Sequence, residues 1–503
     1  MKRKIVIIAL AIVAIYINAC NDLLQKEPIA KLSTSSAYKT KDDALKAVTA
    51  AYQPLRENMW YNSRGNNPAG YMYYVFGDIA SDDAWKGGGS GSDQLAFKKI
   101  SDFNVTPTNA AVESAWKELY IGVHRANLVL DHVPNIDMNS GLKDRLLAEA
   151  KFLRGYYYFQ LVKVFGDVPL VLKSELKNYN LSRTPKDKVY KQIIKDFKNA
   201  ANVLPVKSGY SDSNIGRITK GAAQGYLGKV YLYMHDYSNA ENWFGKIINS
   251  GEYSLDPDYY HMFTIDGENG PGSIFEIDYV HSSKYFTGNI ATGTARGSRG
   301  MYGWGFVNPT QDFANAFENG DPRLHYSIYA DGDTMPDGQI ADVGNSVSGY
   351  LDKKVYVLLS ERQSDEKQVG KDEVMMRLGK VLLWYAEAAN EVGDTQKALK
   401  AVNRVRKRAR EGDPTVLPDV TVTNKKALRK KIWHEERVEY GLEHERFFDL
   451  VRHGQAAEVL HNFANSYNTS KGANYQKGVN DIFPIPQSEI NLSHGKLEQD
   501  KDY

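Results

Sequence analysis

The chain has 503 residues and a formal net charge of +2, and 42% of its residues are hydrophobic. A charge so close to zero over this length gives no general attraction to phosphate backbones, so we predict no nucleic-acid partner. The single cysteine cannot form an intramolecular disulfide, so the fold must be held together by a large apolar core, which a chain of this length can bury.

The N-terminus has the pattern of an export signal. Three cationic residues are followed by thirteen uncharged, mostly aliphatic residues, Ile5 to Ile17, and then by Asn18, the small residue Ala19 and Cys20. These are the parts of a secretory signal peptide, and the apolar stretch is shorter than the ~20 residues that span a bilayer. We predict that residues 1–19 are a lipoprotein signal peptide, that Cys20 carries a lipid and that residues 20–40 are a tether. The alternative is an ordinary signal peptide with an incidental cysteine.

Helical periodicity recurs along the chain. Apolar residues at helical spacing predict helices in segments 41–58, 110–132 and 144–165. A further helix is predicted at Thr184-Pro185-Lys186-Asp187, which offers an N-cap, a proline at the first helical position and an acid at the third.

Two segments predict helical hairpins. Gly228 and Ala240 are the small residues that let paired helices approach, and Asp236-Tyr237-Ser238 forms the turn. With Leu227, Tyr231 and Phe244 they follow the tetratricopeptide spacing. Segment 381–405 repeats this frame more loosely, with its turn at Gly393-Asp394.

Segments 61–109 and 251–371 are rich in Gly, Asn, Asp, Tyr and Ser and show no sustained helical period. We predict long structured loops there, because so many aromatic residues argue against disorder. The predicted fold is mainly α, a tetratricopeptide-like helix-hairpin scaffold with long irregular loop-rich insertions. A single domain would cover 41–503, with a helical scaffold at 41–250 and 372–460, a loop-rich region at 251–371 and a closing segment at 461–503.

Charged residues near the C-terminus have the spacing of a structural ladder. Successive members lie three or four residues apart, which on one helix places opposite charges along one face. We expect a salt-bridge ladder formed by Glu439, Glu443, Arg446, Asp449 and Arg452.

The sequence shows no recognisable catalytic or metal-binding motif. His434 and His444 lack the spacing of a zinc motif, and Asp331-Gly332-Asp333 lacks that of a calcium loop. Neither a phosphate-binding loop nor a nucleophile elbow occurs. We therefore predict no catalytic residue, no metal and no cofactor.

Several blocks of sequence closely resemble the SusD/RagB family of surface lipoproteins. The blocks are Glu149 to Phe159 with Phe165 to Leu170, Asn308 to Asp312 with Asp321 to Arg323, Arg377 to Glu391, Glu435 to Arg452, and Phe483 to Ile490. The resemblance extends from Cys20 to Tyr503. One departure is His444, where the family usually has glycine.

This resemblance implies a fold of four tetratricopeptide-like helix pairs and a non-enzymatic binding protein. Such a protein lies on the outer face of the outer membrane, anchored by its lipid, and associates with a SusC-type TonB-dependent transporter. It captures an oligosaccharide, or a peptide in RagB-type members, and delivers it to that channel. The alternative of another class is a secreted glycan-cleaving hydrolase.

Ligand contacts are predicted in the aromatic loops. A sugar presents flat CH faces and hydroxyl edges, so its site needs aromatic rings beside polar side chains. Trp85 with Lys86 fits best, because this Trp precedes a glycine run in a polar stretch. The other candidates are Trp60, Arg64, Asn67 and Tyr71 in the first loop region, and Tyr285, Tyr302 and Trp304 in the second.

Overall fold

Helices dominate the architecture. The computed structural model describes residues 37–56, 72–175, 181–280, 282, 287–362 and 369–503. In these ranges the helices are α1 (Lys41–Tyr52), α2 (Leu95–Ser101), α3 (Ala110–His132), α4 (Ser140–Phe165), α5 (Lys186–Val203), α6 (Lys220–Tyr233), α7 (Tyr237–Ile248), α8 (Gln311–Ala314), α9 (Pro322–Ser327), α10 (Leu378–Val392), α11 (Thr395–Ala409), α12 (Lys425–Tyr440), α13 (Arg446–Arg452), α14 (Ala456–Ser466) and α15 (Gln487–Leu492). The prediction of a mainly helical fold is confirmed. Among the described helices, none combines the length and apolar character needed to cross a bilayer.

Short strands join parts of the chain that lie far apart in sequence. The strands are β1 (Ala84–Lys86), β2 (Ser273–Ile277), β3 (Val307–Pro309), β4 (Ile328–Tyr329), β5 (Leu351–Asp352) and β6 (Glu373–Arg377). Strand β1 pairs with β3, β2 with β6 and β4 with β5, each antiparallel.

The long helices stack in chain order. Helix α3 packs on α4, α4 on α5, α5 on α6, α6 on α7, α7 on α10, and α10 on α11. Helix α3 has the bounds predicted from its apolar period, and its N-cap Asn109 accepts from the amides of Ala111 and Val112. The N-cap predicted for helix α5 is wrong, because Thr184 pairs with Val168 in a β-bridge and so does not cap the helix.

The predicted hairpin at α6 and α7 is present. Gly228 allows the close approach, since a Cβ there would lie 2.5 Å from the Phe244 ring. Ala240 is fully buried beside it, and the Asp236 side chain accepts from the amide of Asn239 at the start of α7. The second hairpin, α10 and α11, turns at Gly393, whose φ of 95° suits glycine.

Part of the first predicted loop region lies in the core instead of on the surface. Residues 72–84 are buried and contain a π-helical turn at Val75–Ile79. Three of their carboxylates, from Asp78, Asp82 and Asp83, are buried as well. The sequence pattern did not predict this burial, because the acids are neutralised by cations from the C-terminal segment, which lies far away in sequence.

The prediction of a salt-bridge ladder is wrong for most of its residues. Helix α12 ends at Tyr440 and α13 begins at Arg446, so the charges do not share one helix. Between them, Leu442 and His444 take φ values of 63° and 70°. Asp449 and Arg452 do pair along α13, at 2.7 Å, whereas the other charges bind partners on distant elements.

His444 fits the left-handed position through hydrogen bonds on both sides of its ring. Its Nδ1 lies 2.7 Å from Asp78 Oδ2, and its Nε2 lies 2.9 Å from Glu373 Oε1. Its backbone amide also donates to Asp78 Oδ1. Burial alone would lower the pKa of His444, but the Asp78 and Glu373 carboxylates raise it to about 9.

Candidate functional site

Strands β1 and β3 position Trp85. Trp85 lies opposite Asn308 in the antiparallel register. The strands are also fixed at one end, because Thr310 donates from its amide to the Asp83 carbonyl and from its hydroxyl to the Asp82 carbonyl. The Trp85 side chain therefore projects from a rigid backbone, although the segment is short.

Three aromatic side chains form what we call the aromatic platform: Trp85, Phe463 and Tyr467. The Trp85 ring lies 5.1 Å from Phe463 and 6.2 Å from Tyr467, centroid to centroid, and the latter two are 4.7 Å apart. Phe463 is buried, whereas Trp85 and Tyr467 are half-buried. The platform thus offers two partly exposed rings supported by a buried one.

Polar side chains come from the segments that follow β3 and precede β5. The Tyr350 hydroxyl donates to Gln311 Oε1 at 3.0 Å, and the Val347 amide donates to Asn308 Oδ1 at 3.2 Å. The Asp312 carboxylate is 40% exposed and lies 2.7 Å from Arg437. Partial burial and then the charge of Asp312 raise the pKa of Tyr467, which places these groups near the platform.

A buried charge network lies behind the platform. Arg437 contacts Asp312, Asp82 and Asp83, and Arg446 binds Asp82 through two nitrogens at 2.9 Å each. Burial raises the pKa of Asp83 to about 6 in spite of Arg437. The network holds the residues just before β1 and the first turn of α8 in one arrangement.

Lys86 points away from the half-buried rings. It is 8% exposed, its Nζ donates to the Ser90 carbonyl at 3.0 Å, and it lies 5.7 Å from the centroid of the Phe306 ring. Burial lowers the pKa of Lys86. The glycine run that follows is also held in place, because the Gly87 amide donates to the Phe306 carbonyl and the Gly89 amide to Asp93.

Trp304 and Tyr302 have different surroundings. Trp304 is half-buried and packs edge-on against Phe306, at 5.9 Å between centroids. Tyr302 lies between the Arg362 guanidinium, 4.0 Å from its centroid, and the Tyr356 ring at 5.8 Å. Trp304 therefore shares a neighbour with Lys86, whereas Tyr302 packs against a small separate cluster around Tyr356.

The remaining predicted residues, Trp60, Arg64, Asn67, Tyr71, Tyr285 and the lipidation candidate Cys20, lie outside the described residues. Sequence reasoning missed Phe463, Tyr467 and Tyr350. The apolar period of segment 456–466 would have predicted Phe463 on a buried helix face, but nothing in it points to Trp85.

Three potential metal ligands, Glu387, Glu436 and His453, lie close together. Arg452 reaches into this group and binds both oxygens of Glu387, at 2.7 and 2.6 Å. Its guanidinium supplies the positive charge that a metal ion would bring, so the group does not fit a metal ion.

Comparison with known proteins gives consistent matches along the chain. The model of the SusD family matches residues 271–503, and a second family model, described as starch-binding associating with outer membrane, matches residues 40–232. SusD-like protein P2 of Formosa agariphila is 26% identical, with 97% of each chain covered.

Two solved structures share the fold. Surface glycan-binding protein A from Bacteroides thetaiotaomicron in complex with laminarihexaose has a TM-score of 0.79 at 26% identity, covering 92% of this chain and all of that one. A laminarin-binding SusD-like protein has a TM-score of 0.78 at 26% identity, covering 93% and 100%. With its stacked helix hairpins and irregular loop-rich remainder, this chain has the fold of the SusD-like proteins. The chain belongs to the SusD/RagB family.

Proposed function

We propose that the protein is a lipid-anchored surface protein that binds an oligosaccharide and delivers it to a SusC-type TonB-dependent channel. The aromatic platform carries this proposal. Two half-buried rings next to amide, hydroxyl and carboxylate groups match the alternating faces and edges of a sugar. The relatives that are described as binding laminarin or laminarihexaose support the same ligand class.

In this proposal Trp85 stacks on a sugar face and Tyr467 on a neighbouring one. Gln311 and Asp312, which are exposed or partly exposed, accept from the hydroxyls at the edges, whereas the buried Asn308 holds the backbone of Val347. Because the buried Phe463 supports both rings, they lose little conformational freedom when the ligand binds, which favours affinity. Trp304 remains a further proposed contact, together with the predicted residues outside the described ranges.

Trp85→Ala is expected to weaken oligosaccharide binding by about 1.5–3 kcal/mol, or roughly 10- to 150-fold in Kd, because the variant loses the apolar ring. The melting temperature should change little, since this side chain is only partly buried. Calorimetric titration with laminarihexaose and with the best ligand from a glycan panel, paired with thermal melts, checks both expectations.

The matched control is Trp243→Ala. Trp243 is also half-buried, but it lies on α7 with Lys246 over its ring at 3.6 Å. This variant should bind as the parent does. Equal affinity of the Trp85 variant would remove Trp85 from the site, and new products in the titrated mixture would favour the hydrolase alternative.

Cys20→Ala is expected to yield a folded protein that no longer sediments with the outer membrane. The acyl chains would be its main attachment, since apolar chains buried in the bilayer supply the binding free energy and the net charge of the chain is close to zero. Labelling cells with a radioactive fatty acid tests this directly. Label retained by the variant would contradict lipidation at Cys20.

A further inference from the structure

The surface formed by α11 and α12 is strongly basic. Residues 395–431 contain twelve Lys and Arg but three Asp and Glu, although the whole chain is nearly balanced. Some of these cations are buried and paired, as Arg406 is with Glu318 and Glu435. Others are exposed, and these define the surface.

Six exposed cations have no carboxylate of the described residues within salt-bridge distance. They are Lys400, Arg404 and Lys407 on α11, and Lys426, Lys430 and Lys431 on α12. Their neighbours at the edges of the patch are paired: Lys397 with Asp394, Arg410 with Asp419, and Lys425 with Glu391. The unpaired cations thus lie along α11 from its second turn to its last and in the first half of α12.

Residues Lys400, Arg404 and Lys407 line one wall of a groove of about 1130 Å³. Positions four and then three apart lie on one helix face, so this stripe runs for about 10 Å along α11. Segment 412–423 forms the opposite wall. We call this the basic groove.

The wall opposite the stripe is fixed by hydrogen bonds. Asn403 Nδ2 donates to the Val420 carbonyl at 2.9 Å, and the Val420 amide donates to Asn403 Oδ1 at 2.7 Å. Arg406 Nε donates to the Pro418 carbonyl at 3.0 Å. The groove is therefore a built feature of the fold, and a ligand would meet a preformed site.

The stripe carries like charges at positions where helices usually place opposite ones. Lys400 and Arg404 are four residues apart and Arg404 and Lys407 three apart, and like charges at this spacing repel. An anion bound between them would relieve that repulsion. Gln396, Thr421 and Thr423 line the same groove and offer neutral hydrogen-bonding groups, and the lining carboxylate of Asp419 is paired with Arg410.

We propose that the basic groove binds an acidic polysaccharide, a glycan chain whose sugar rings carry sulfate or carboxylate groups. Cations on one wall and hydroxyl side chains on the other match a ligand that carries both anionic groups and sugar hydroxyls. An isolated phosphate would use only one or two of the cations, whereas a chain can contact the whole stripe. The groove shares no residue with the aromatic platform, so it is a second site.

The test uses the mature protein and a charge-removing variant, Lys400→Gln/Arg404→Gln/Lys407→Gln. Calorimetry with a sulfated galactan oligosaccharide, an oligogalacturonate and neutral laminarihexaose distinguishes the two anionic groups from an uncharged chain. We expect one of the acidic ligands to bind the parent protein and the triple variant to bind it at least tenfold more weakly. The affinity of the triple variant for the acidic ligand should also fall less steeply with rising salt concentration, because the variant makes fewer ionic contacts.

The matched control is Lys188→Gln/Lys191→Gln/Lys195→Gln on α5. These lysines are exposed and similarly spaced on one helix but do not line the groove. Equal affinity of the parent and the groove variant for the acidic ligand would overturn the proposal. So would binding to vesicles of anionic phospholipid without binding to either acidic oligosaccharide.

The same experiment distinguishes this proposal from the function proposed above. If the basic groove is a second glycan site, the triple variant keeps the parent's affinity for laminarihexaose, and Trp85→Ala keeps the parent's affinity for the acidic ligand. Loss of acidic-ligand binding in Trp85→Ala, with none in the triple variant, would assign that ligand to the platform and refute the groove.

Discussion

Glu439→Gln is expected to destabilise the protein by about 3–5 kcal/mol, because it removes the charge that neutralises several buried arginines. Glu439 is fully buried on α12. Its Oε1 accepts from Arg377 at 2.6 Å and from Arg408, and its Oε2 accepts from Arg323 at 3.0 Å. A neutral amide cannot accept from all three cations, and its NH₂ group would face one of them.

The ionisation of Glu439 predicts how this effect depends on pH. Burial alone would raise its pKa, but the three arginines lower it to about 2. Since the folded-state pKa lies below the unfolded value of about 4.5, the stabilisation is present above pH 4.5 and is lost as the pH falls toward 2. Urea unfolding at pH 7 and at pH 3 should therefore show a smaller difference between parent and variant at the lower pH.

Glu436→Gln is the matched control on the same helix. Glu436 is also buried, but burial and the nearby Glu387 carboxylate raise its pKa well above the usual value. Because burial and Glu387 already disfavour the charged form of Glu436, an amide in its place should cost much less stability. Equal losses in the two variants would show that the arginines do not require the charge of Glu439.

His444→Gly is expected to abolish a loss of stability that the parent shows between about pH 6.5 and 9. The folded-state pKa of His444 is about 9, above the ordinary value of 6.5, because Asp78 and Glu373 bind its protonated ring. The native state therefore holds a proton that the unfolded state has released in this interval. The stabilisation is complete below pH 6.5 and disappears as the pH rises through 9, and a shift of this size corresponds to about 3 kcal/mol.

Urea unfolding of the two proteins from pH 6 to pH 10 measures this difference. Glycine accepts the φ of 70° without strain, so the pH-dependent difference between the two proteins reports the loss of the imidazole ring. Arg296, 3.5 Å from His444 Nε2, also faces Glu373 and remains in the variant. A parent and variant whose stabilities fall in parallel over this range would contradict a protonated His444.

Local sequence patterns predicted the helices but not what lies between them. The bounds of α3 and the α6–α7 hairpin follow from apolar spacing and small residues, which act within a few turns. The end of helix α12 at Tyr440 could not be predicted from such local spacing. Charges three and four residues apart satisfy the helix rule, yet most of their actual partners lie on other elements, and Asp82, the partner of Arg446, is more than three hundred residues away.

At the candidate site, too, local sequence patterns do not show which distant segments come into contact. The position of Trp85 in a polar stretch with little apolar sequence around it predicts an accessible ring, and the ring is half-buried. Its neighbours Phe463 and Tyr467 could not be chosen, because the contact depends on how α14 packs against β1. Lys86, adjacent in sequence, turns inward to the Ser90 carbonyl, which the alternation of side chains along a strand permits.

The aromatic platform also constrains the order in which the protein can mature. Its rings come from β1 near one end of the sequence and from α14 near the other. A chain emerging N-terminus first can form the early helix pairs from local contacts, but pairing of such distant segments requires closure of a very long loop and is slow. A partly emerged chain can therefore be folded over much of its length and still have no ligand site, so binding competence would report completion of the whole fold.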